Sequence, residues 1–312
     1  MASDTKIEFH KHPLSIEQQI EKLSNRGLIF DNKKLAASFL SNISYYRLRA
    51  YTYPFQNNEE EELEHPFTRD DVHFEDIIAL YRFDRQLRLL IFNAIEKIEV
   101  AIRTKITQLY SESSGNSHWY LDNRFYKSSA KLDCLFDEIK SDIHRSNEDF
   151  IKHYNKKYNN PELPPSWMAL EVVSFGALSK LYKSLAKNDN KIAVARQLGI
   201  TDVELMANWL HAFANLRNSC AHHSRIWNRR FIVRIKLPYN TIRPFMNRNS
   251  LKTVKQNKLY ALLSCIKYCS DILSPDNQFK SQLFNLLNKG GKLLTFKDMG
   301  FPDNWKHEPV WK

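Results

Sequence analysis

Glycine is scarce in this sequence, since only 7 of the 312 residues are glycine. Sheet folds with many tight turns, and loops that wrap around phosphate groups, use more glycine because their backbone conformations favour a residue without a side chain. Hydrophobic residues make up 43% of the chain and aromatic residues 12%, which is sufficient for a substantial core. The composition therefore predicts an all-α fold of long helices joined by short polar segments.

Long apolar runs are also missing, because no stretch approaches the roughly 18 residues that a membrane-spanning helix needs. The first residues, MASDTKIEFHKH, contain no apolar signal core. Four cysteines in a chain of this length do not make the disulfide framework of a secreted protein. Cys265 and Cys269 would share a helix face, but no histidine pair with zinc spacing lies beside them, so buried reduced thiols are expected. We therefore expect a cytoplasmic protein without a metal ion or cofactor.

Acidic residues are absent from residues 205–270, and the same 66 residues contain 12 Lys and Arg. The rest of the chain carries 34 basic and 35 acidic residues, so the net charge of +11 is concentrated in this segment. A field of one sign attracts a polyanion, and nucleic acid is the expected partner because each phosphate contact releases counterions. An anionic membrane surface is the rival partner, but it needs an amphipathic helix with a clean apolar face, which we do not find here.

RNA binding is assigned to the basic side chains of this segment. They are Arg225, Arg229, Arg230, Arg234, Lys236, Arg243, Arg248, Lys252, Lys255 and Lys258. Trp227, Tyr239 and Phe245 lie among these cations and are candidates for stacking on bases. Trp209 and Phe213 follow the spacing of a buried helix face, and we expect them in the core.

Helical periodicity predicts one long helix from about Phe74 to Tyr110, with apolar residues three to four positions apart. Glu99 and Arg103 on its polar side have the i,i+4 spacing of an ion pair. Capping residues predict further helices that begin after Ser15, Asp31 and Thr201. The other expected helices cover about residues 130–158, 168–186, 191–198 and 260–273, and residues 231–238 are expected to form a short strand.

The stretch ANLRNSCAHHSRIWNRR (214–230) combines the groups that RNA cleavage requires. The 2′-hydroxyl must lose a proton, the leaving 5′-oxygen must gain one, and the charge on the phosphate must be stabilised. An imidazole exchanges protons near neutral pH, and a guanidinium can hold two phosphate oxygens. We therefore place the chemistry at Arg217 and His222, with Asn218 orienting the imidazole or the phosphate. His223 is the alternative base, or a supporting residue of the site.

The spacing of this motif poses a geometric problem. Five positions on an unbroken helix correspond to a rotation of about 140°, so Arg217 and His222 would not share a face. Either the long arginine reaches around the helix, the helix is distorted, or two copies of the chain combine their side chains in one cleft. No carboxylate cluster suited to Mg²⁺ lies nearby, so the predicted cleavage needs no metal ion.

Several segments resemble a known family. RNSCAH has the Arg-x4-His pattern of the HEPN superfamily, helical domains that often act as metal-independent endoribonucleases. The chain also resembles the Abi-like family of bacterial abortive-infection proteins, of the D/F type, in five segments. They are ISYYRLRAYTYPF (43–55), LYRFDRQLRLLIFNAIEKIEVAIRTKI (80–106), WMALEVVSFGALSKLY (167–182), NLRNSCAHHSRIWNR (215–229) and MGFPDNWKHEPVW (299–311).

The resemblance implies a HEPN-like helical core over residues 71–230, preceded by a helical segment over 1–70 and followed by a basic segment over 231–312 that packs on the core. It also implies phage defence by RNA cleavage that leaves a 2′,3′-cyclic phosphate and a 5′-hydroxyl. Such ribonucleases generally act as homodimers, and genes of this type are associated with a small structured non-coding RNA.

Position by position, the resemblance places Arg217 and His222 at the ends of the motif and Asn218 at its polar second position. Glu99 and Arg103 lie on the family's long helix, where a structural ion pair and a supporting role in the site are both open. Two other functions remain open as well. One is a non-catalytic RNA-binding protein, and the other is a DNA-binding regulator, for which no helix-turn-helix or zinc-finger pattern is found.

Overall fold

The computed structural model describes residues 8–10, 12–59, 64–128 and 131–312. Over these residues the backbone forms thirteen α-helices and several single turns of 3-10 helix, without any β-strand. Three isolated backbone bridges are the nearest approach to sheet structure in these ranges. The predicted all-α fold is confirmed. None of the helices described here combines the length and the apolar character that crossing a membrane requires.

The backbone divides into two compact units, which are Met1–Phe83 with Lys289–Leu294, and Asp84–Asn288 with Thr295–Lys312. These two units do not test the predicted division into segments 1–70, 71–230 and 231–312, which stays a prediction. The first unit contains three short helices and the beginning of a fourth. They are α1 (Ile16–Asn25), α2 (Lys33–Asn42), α3 (Tyr45–Thr52) and α4 (Phe74–Ser114).

Local capping contacts explain where the first helices of this unit begin and end. The predicted capping box of α1 is confirmed, because Ser15 and Gln18 each accept a hydrogen bond from the other's backbone N–H. Gly27 follows the helix with φ +97°, a conformation that favours glycine. The predicted cap of α2 was wrong by one residue. Asn32 accepts from the backbone N–H of Leu35, while the carboxylate of Asp31 contacts the ring of His73.

The second unit contains the rest of α4 and nine further helices. They are α5 (Leu132–Arg145), α6 (Asp149–Lys157), α7 (Ser166–Val172), α8 (Phe175–Ser184), α9 (Asp189–Arg196), α10 (Val203–Ala221), α11 (Arg248–Thr253), α12 (Leu259–Leu273) and α13 (Phe279–Asn288). Helices α8 and α10 pack together in its core. Trp209 and Phe213 of α10 are buried there, as expected.

The helix predicted over residues 168–186 is interrupted by contacts from distant parts of the chain. The backbone N–H of Ser174 donates to the buried carboxylate of Asp142 at 2.9 Å. The carbonyl of Leu170, which would accept that N–H in a continuous helix, accepts from Arg103 instead. Ser174 then caps α8 by accepting from the backbone N–H of Ala177. Side chains from distant helices therefore replace the hydrogen bonds of one turn.

Other boundaries also differ from the predictions. The helix expected over residues 130–158 is divided into α5 and α6 by extended backbone at Ser146 and Glu148. Helix α10 is capped by Asp202 rather than by Thr201. Residues 231–238 form no strand, because the N–H groups of Phe231 and Ile235 donate to the irregular backbone of residues 256–257. The short helix α11 and helix α13 were not predicted.

Helix α12 is buried on all sides, with every residue from Leu259 to Cys269 inaccessible or nearly so. Cys220, Cys265 and Cys269 are buried free thiols, as expected, and Cys134 is exposed. Burial raises the pKa of Cys220 to about 12, which makes this thiol unreactive at neutral pH.

Lys191 of α9 is completely buried and closes the end of α8. Its ammonium donates to the backbone carbonyl of Leu185 at 2.7 Å and lies 5.1 Å from the ring centre of Tyr182. The last carbonyls of a helix have no partner within the helix, so the ammonium satisfies an acceptor that would otherwise be buried alone. Burial lowers the pKa of Lys191 to about 8, and the nearby positive charge of Lys127 acts in the same direction.

We predict that Lys191→Met removes a pH dependence from the free energy of unfolding. The pKa of Lys191 is about 8 in the folded chain, and an unfolded lysine titrates near 10.4. Between these values the unfolded chain binds a proton that the folded chain lacks, so the stability of the wild type relative to the variant rises with pH. The expected gain is about 1 kcal/mol between pH 7 and pH 9, measured by urea unfolding of both proteins.

Lys187→Met is the matched control, because Lys187 is exposed on the same segment. Its stability difference from the wild type should not change over this pH range. A difference for Lys191→Met that is equally flat would contradict the role assigned to burial.

Candidate active site

The predicted motif lies at the C-terminal end of α10. The helix is unbroken from Val203 to Ala221, and His222 is the residue immediately after it, with φ −84° and ψ 13°. His223 adopts φ +56°, a conformation that residues other than glycine rarely take. Its N–H donates to Cys220 and that of Ser224 donates to Ser219, which are the two bonds of a Schellman motif. The left-handed backbone of His223 thus ends the helix, and His222 is its C-cap residue.

The guanidinium of Arg217 is held against α4. Its Nε lies 3.7 Å from Oε2 of Glu99, and its carbon centre lies 5.6 Å from the ring centre of Phe92. One terminal nitrogen donates to Oδ1 of Asn218 at 3.3 Å. The side chain is nevertheless 35% exposed. Arg217 is therefore oriented by protein groups and still accessible to an anionic ligand.

Glu99 is shared between two arginines. Its Oε1 accepts from Arg103 at 2.8 Å, and its Oε2 faces Arg217. Arg103 also donates to the carbonyls of Leu170 and Val173, at and just beyond the end of α7. The predicted Glu99–Arg103 ion pair is confirmed. The largely buried carboxylate of Glu99 also faces Arg217, the predicted catalytic arginine. Glu99 therefore makes both contacts that the sequence left open, the ion pair with Arg103 and a contact with the site.

The two ends of the motif face different directions. Since α10 continues without a break to Ala221, the distorted-helix explanation does not apply, and the rotation from Arg217 to His222 is about 140°. Arg217 is directed towards Glu99 and Phe92 on α4 rather than around the helix. The side chains of Asn218, His222 and His223 lie in exposed positions. The distorted helix is thus excluded, and combination of side chains from two copies stays a prediction.

Asp84 was missed by the sequence analysis, although it holds the segment that follows the motif. Its carboxylate is completely buried, pairs with Arg88 one turn along α4, and accepts from the backbone N–H of Trp227 at 2.7 Å and of Ile226 at 3.2 Å. The signal in the sequence was an Asp and an Arg at i,i+4 spacing beside the apolar stripe of the long helix. A carboxylate in that position requires internal partners, and these are the backbone groups that follow the motif.

The predicted RNA-binding cations differ in accessibility. Arg225 and Arg229 are partly buried against the rings of Trp227 and Phe231. A larger group is exposed and, among the residues that the structure describes, forms no ion pair with a carboxylate. This group consists of Arg230, Arg234, Lys236, Arg243, Arg248, Lys252 and Lys255. Within the described part of the chain, no carboxylate therefore neutralises their charges.

Lys258 is engaged within the protein. Its ammonium donates to the side chain of Asn228 and to the backbone carbonyl of Asp298, and burial lowers its pKa. The expectation that Trp227 and Phe245 stack on bases was wrong, because both rings are buried. Tyr239 is 68% exposed and remains accessible to a base.

The model of a family described as Abi-like protein matches residues 38–228, from within α2 to Asn228 near the end of the motif segment. Comparisons with curated proteins and with solved structures gave no significant match.

We predict that Asp84→Ala lowers the free energy of unfolding by about 3–5 kcal/mol, because it breaks a buried ion pair with the guanidinium of Arg88. The backbone N–H groups of Ile226 and Trp227 would lose their acceptor at the same time. Urea unfolding followed by circular dichroism measures the effect. Asp137→Ala, an exposed substitution on α5, should change stability by less than about 0.5 kcal/mol. Equal effects of the two substitutions would refute the anchoring role of Asp84.

Proposed function

The chain belongs to the Abi-like protein family, and we propose that it is a HEPN-type endoribonuclease that cleaves RNA without a metal ion. Membership suggests an abortive-infection type of function. The observation that carries the proposed activity is the end of α10. An oriented but accessible guanidinium, a carboxamide and an exposed imidazole follow one another there within six residues, at Arg217, Asn218 and His222.

The proposed reaction is an internal transesterification of RNA. The 2′-oxygen loses its proton and forms a bond to the adjacent phosphorus, while the bond from phosphorus to the 5′-oxygen breaks. The leaving oxygen takes up a proton, which gives a 2′,3′-cyclic phosphate and a 5′-hydroxyl. His222 exchanges these protons, and Arg217 stabilises the charge on the non-bridging phosphate oxygens. Asn218 holds one edge of the guanidinium, which leaves its other nitrogens for the phosphate.

In this proposal, each active-site cleft contains Arg217 from one copy of the chain and His222 from a second copy. Arg217 is fixed on the α4 side of α10, and His222 lies about 140° further around the axis. A second copy related by a two-fold axis brings the imidazole of one chain towards the guanidinium of the other.

RNA is the proposed partner because the exposed cations are numerous and unpaired with carboxylates. Residues 205–270 contain no acidic residue that could neutralise them locally. A structured non-coding RNA and a cleaved target share this phosphate chemistry. Binding should therefore weaken steeply as salt concentration rises.

Non-catalytic RNA binding is the second candidate function. The wide angle between Arg217 and His222 in a single chain favours it, because a lone copy could use both side chains only to hold separate phosphates. Fold, charge and partner are the same in both candidates. They differ in what is lost when His222 is replaced.

We predict that His222→Ala lowers the rate of RNA cleavage by about 100- to 10,000-fold, the usual effect of removing a general acid–base group. RNA affinity should change by less than about twofold, since the basic side chains that carry the charge remain. Gel analysis of labelled RNA at equal protein concentrations measures cleavage, and filter binding measures affinity. His153→Ala is the control, because His153 is exposed on α6 and lies outside the motif.

The assay is run in excess EDTA, where the wild type should keep its activity. Cleavage that requires added Mg²⁺ would contradict the proposed mechanism. If His222→Ala and the wild type both bind RNA and neither cleaves it, the binding function is correct and the nuclease proposal is not.

A further inference from the structure

We propose that the first unit contains a binding site for a divalent transition-metal ion of the Zn²⁺ class, formed by Asp31, His73 and Glu75. One ligand atom from each side chain lies within 4.8 Å of the other two. The site is independent of the proposed ribonuclease centre, whose residues all belong to the second unit. Separation along the chain explains why the sequence indicated no metal site, since Asp31 lies 42 residues before His73.

The backbone positions the three ligands before any ion binds. The N–H of Ile29 donates to the carbonyl of Val72, and the N–H of Phe74 donates back to the carbonyl of Ile29. The rings of Phe30 and Phe74 stack with their centres 5.1 Å apart. The segment that carries Asp31 is thereby fixed against the beginning of α4, where His73 immediately precedes the helix and Glu75 lies in its first turn.

The carboxylate of Glu75 is the strongest indication of a cation. Both of its oxygens are shielded from solvent, and within the described residues neither has a hydrogen-bond partner. Shielding carboxylate oxygens from solvent without hydrogen bonds is unfavourable. The nearby ammonium of Lys292 pairs with Asp76 at 2.9 Å and donates to the backbone carbonyl of Asp71. A bound metal ion would give Glu75 the charge that it lacks.

Charge and donor type favour a transition metal. The amino-terminal end of α4 contributes a positive partial charge of roughly one half, which opposes a cation but is much smaller than the two negative charges of Asp31 and Glu75. An imidazole nitrogen beside two carboxylate oxygens suits Zn²⁺ and its neighbours better than Mg²⁺ or Ca²⁺. His73 already contacts Asp31 at 2.8 Å. Donor atoms around tetrahedral zinc lie about 3.4 Å apart, so the partly exposed Asp31 and His73 need shift only slightly.

Metal binding by the full-length chain tests the proposal. Protein freed of metal with EDTA is dialysed against Zn²⁺ in millimolar Mg²⁺, and bound zinc is measured by elemental analysis. We expect one zinc per chain more in the wild type than in His73→Ala or Glu75→Gln, with an affinity loss above about 100-fold in either variant. His153→Ala, which removes an exposed histidine elsewhere, should bind as the wild type does. Equal zinc content in the wild type and both ligand variants would overturn the proposal.

The melting temperature gives a second, independent readout. Excess Zn²⁺ should raise the melting temperature of the wild type by roughly 5 °C, because the ion binds only the folded unit. Glu75→Gln should abolish this rise and, without metal, should melt no lower than the wild type, since the substitution removes a buried uncompensated charge. A strongly lowered melting temperature of metal-free Glu75→Gln would show that the carboxylate already has a protein counter-ion, and the site would be rejected.

Discussion

The direction in which Arg217 points determines the chemistry available to this protein. The carboxylate of Glu99 lies between the guanidinium of Arg103 and that of Arg217, so it joins α4 both to the end of α7 and to α10. Because Glu99 is largely buried, this arrangement cannot rotate freely in solvent. Arg217 is consequently fixed on one side of an unbroken helix, and His222 follows it at an ideal-helix rotation of about 140°.

The end of α10 is fixed as firmly as its arginine. The left-handed backbone at His223 ends the helix directly after His222, at a position where glycine would be the less strained residue. Asp84 then binds the backbone of Ile226 and Trp227 from within the core. The left-handed conformation of His223, and the anchoring of the backbone at Ile226 three residues later by the buried carboxylate of Asp84, together define where the imidazole of His222 lies. Both features fix the geometry of the segment that carries the motif.

The sequence predicted what local chemistry determines. The capping box at Ser15, the long helix α4 and the buried face of α10 follow from residues close together in the chain, and all three are present. Failures occurred where distant groups intervene. Arg103 and Asp142 interrupt a helix some 70 and 32 residues away, and His73 takes the carboxylate expected to cap α2. The motif itself was readable from the sequence, whereas its orientation depends on Glu99, which no local pattern places beside Arg217.

The claim that Arg217 and His222 act on one phosphate is tested most directly by combining two inactive variants. Arg217→Ala and His222→Ala chains, co-expressed with different affinity tags, are isolated as a mixed dimer and assayed for RNA cleavage. If each centre takes its arginine from one copy and its histidine from the other, the mixed dimer has one intact centre and about half the wild-type activity. A mixed dimer as inactive as either variant alone would contradict a shared site.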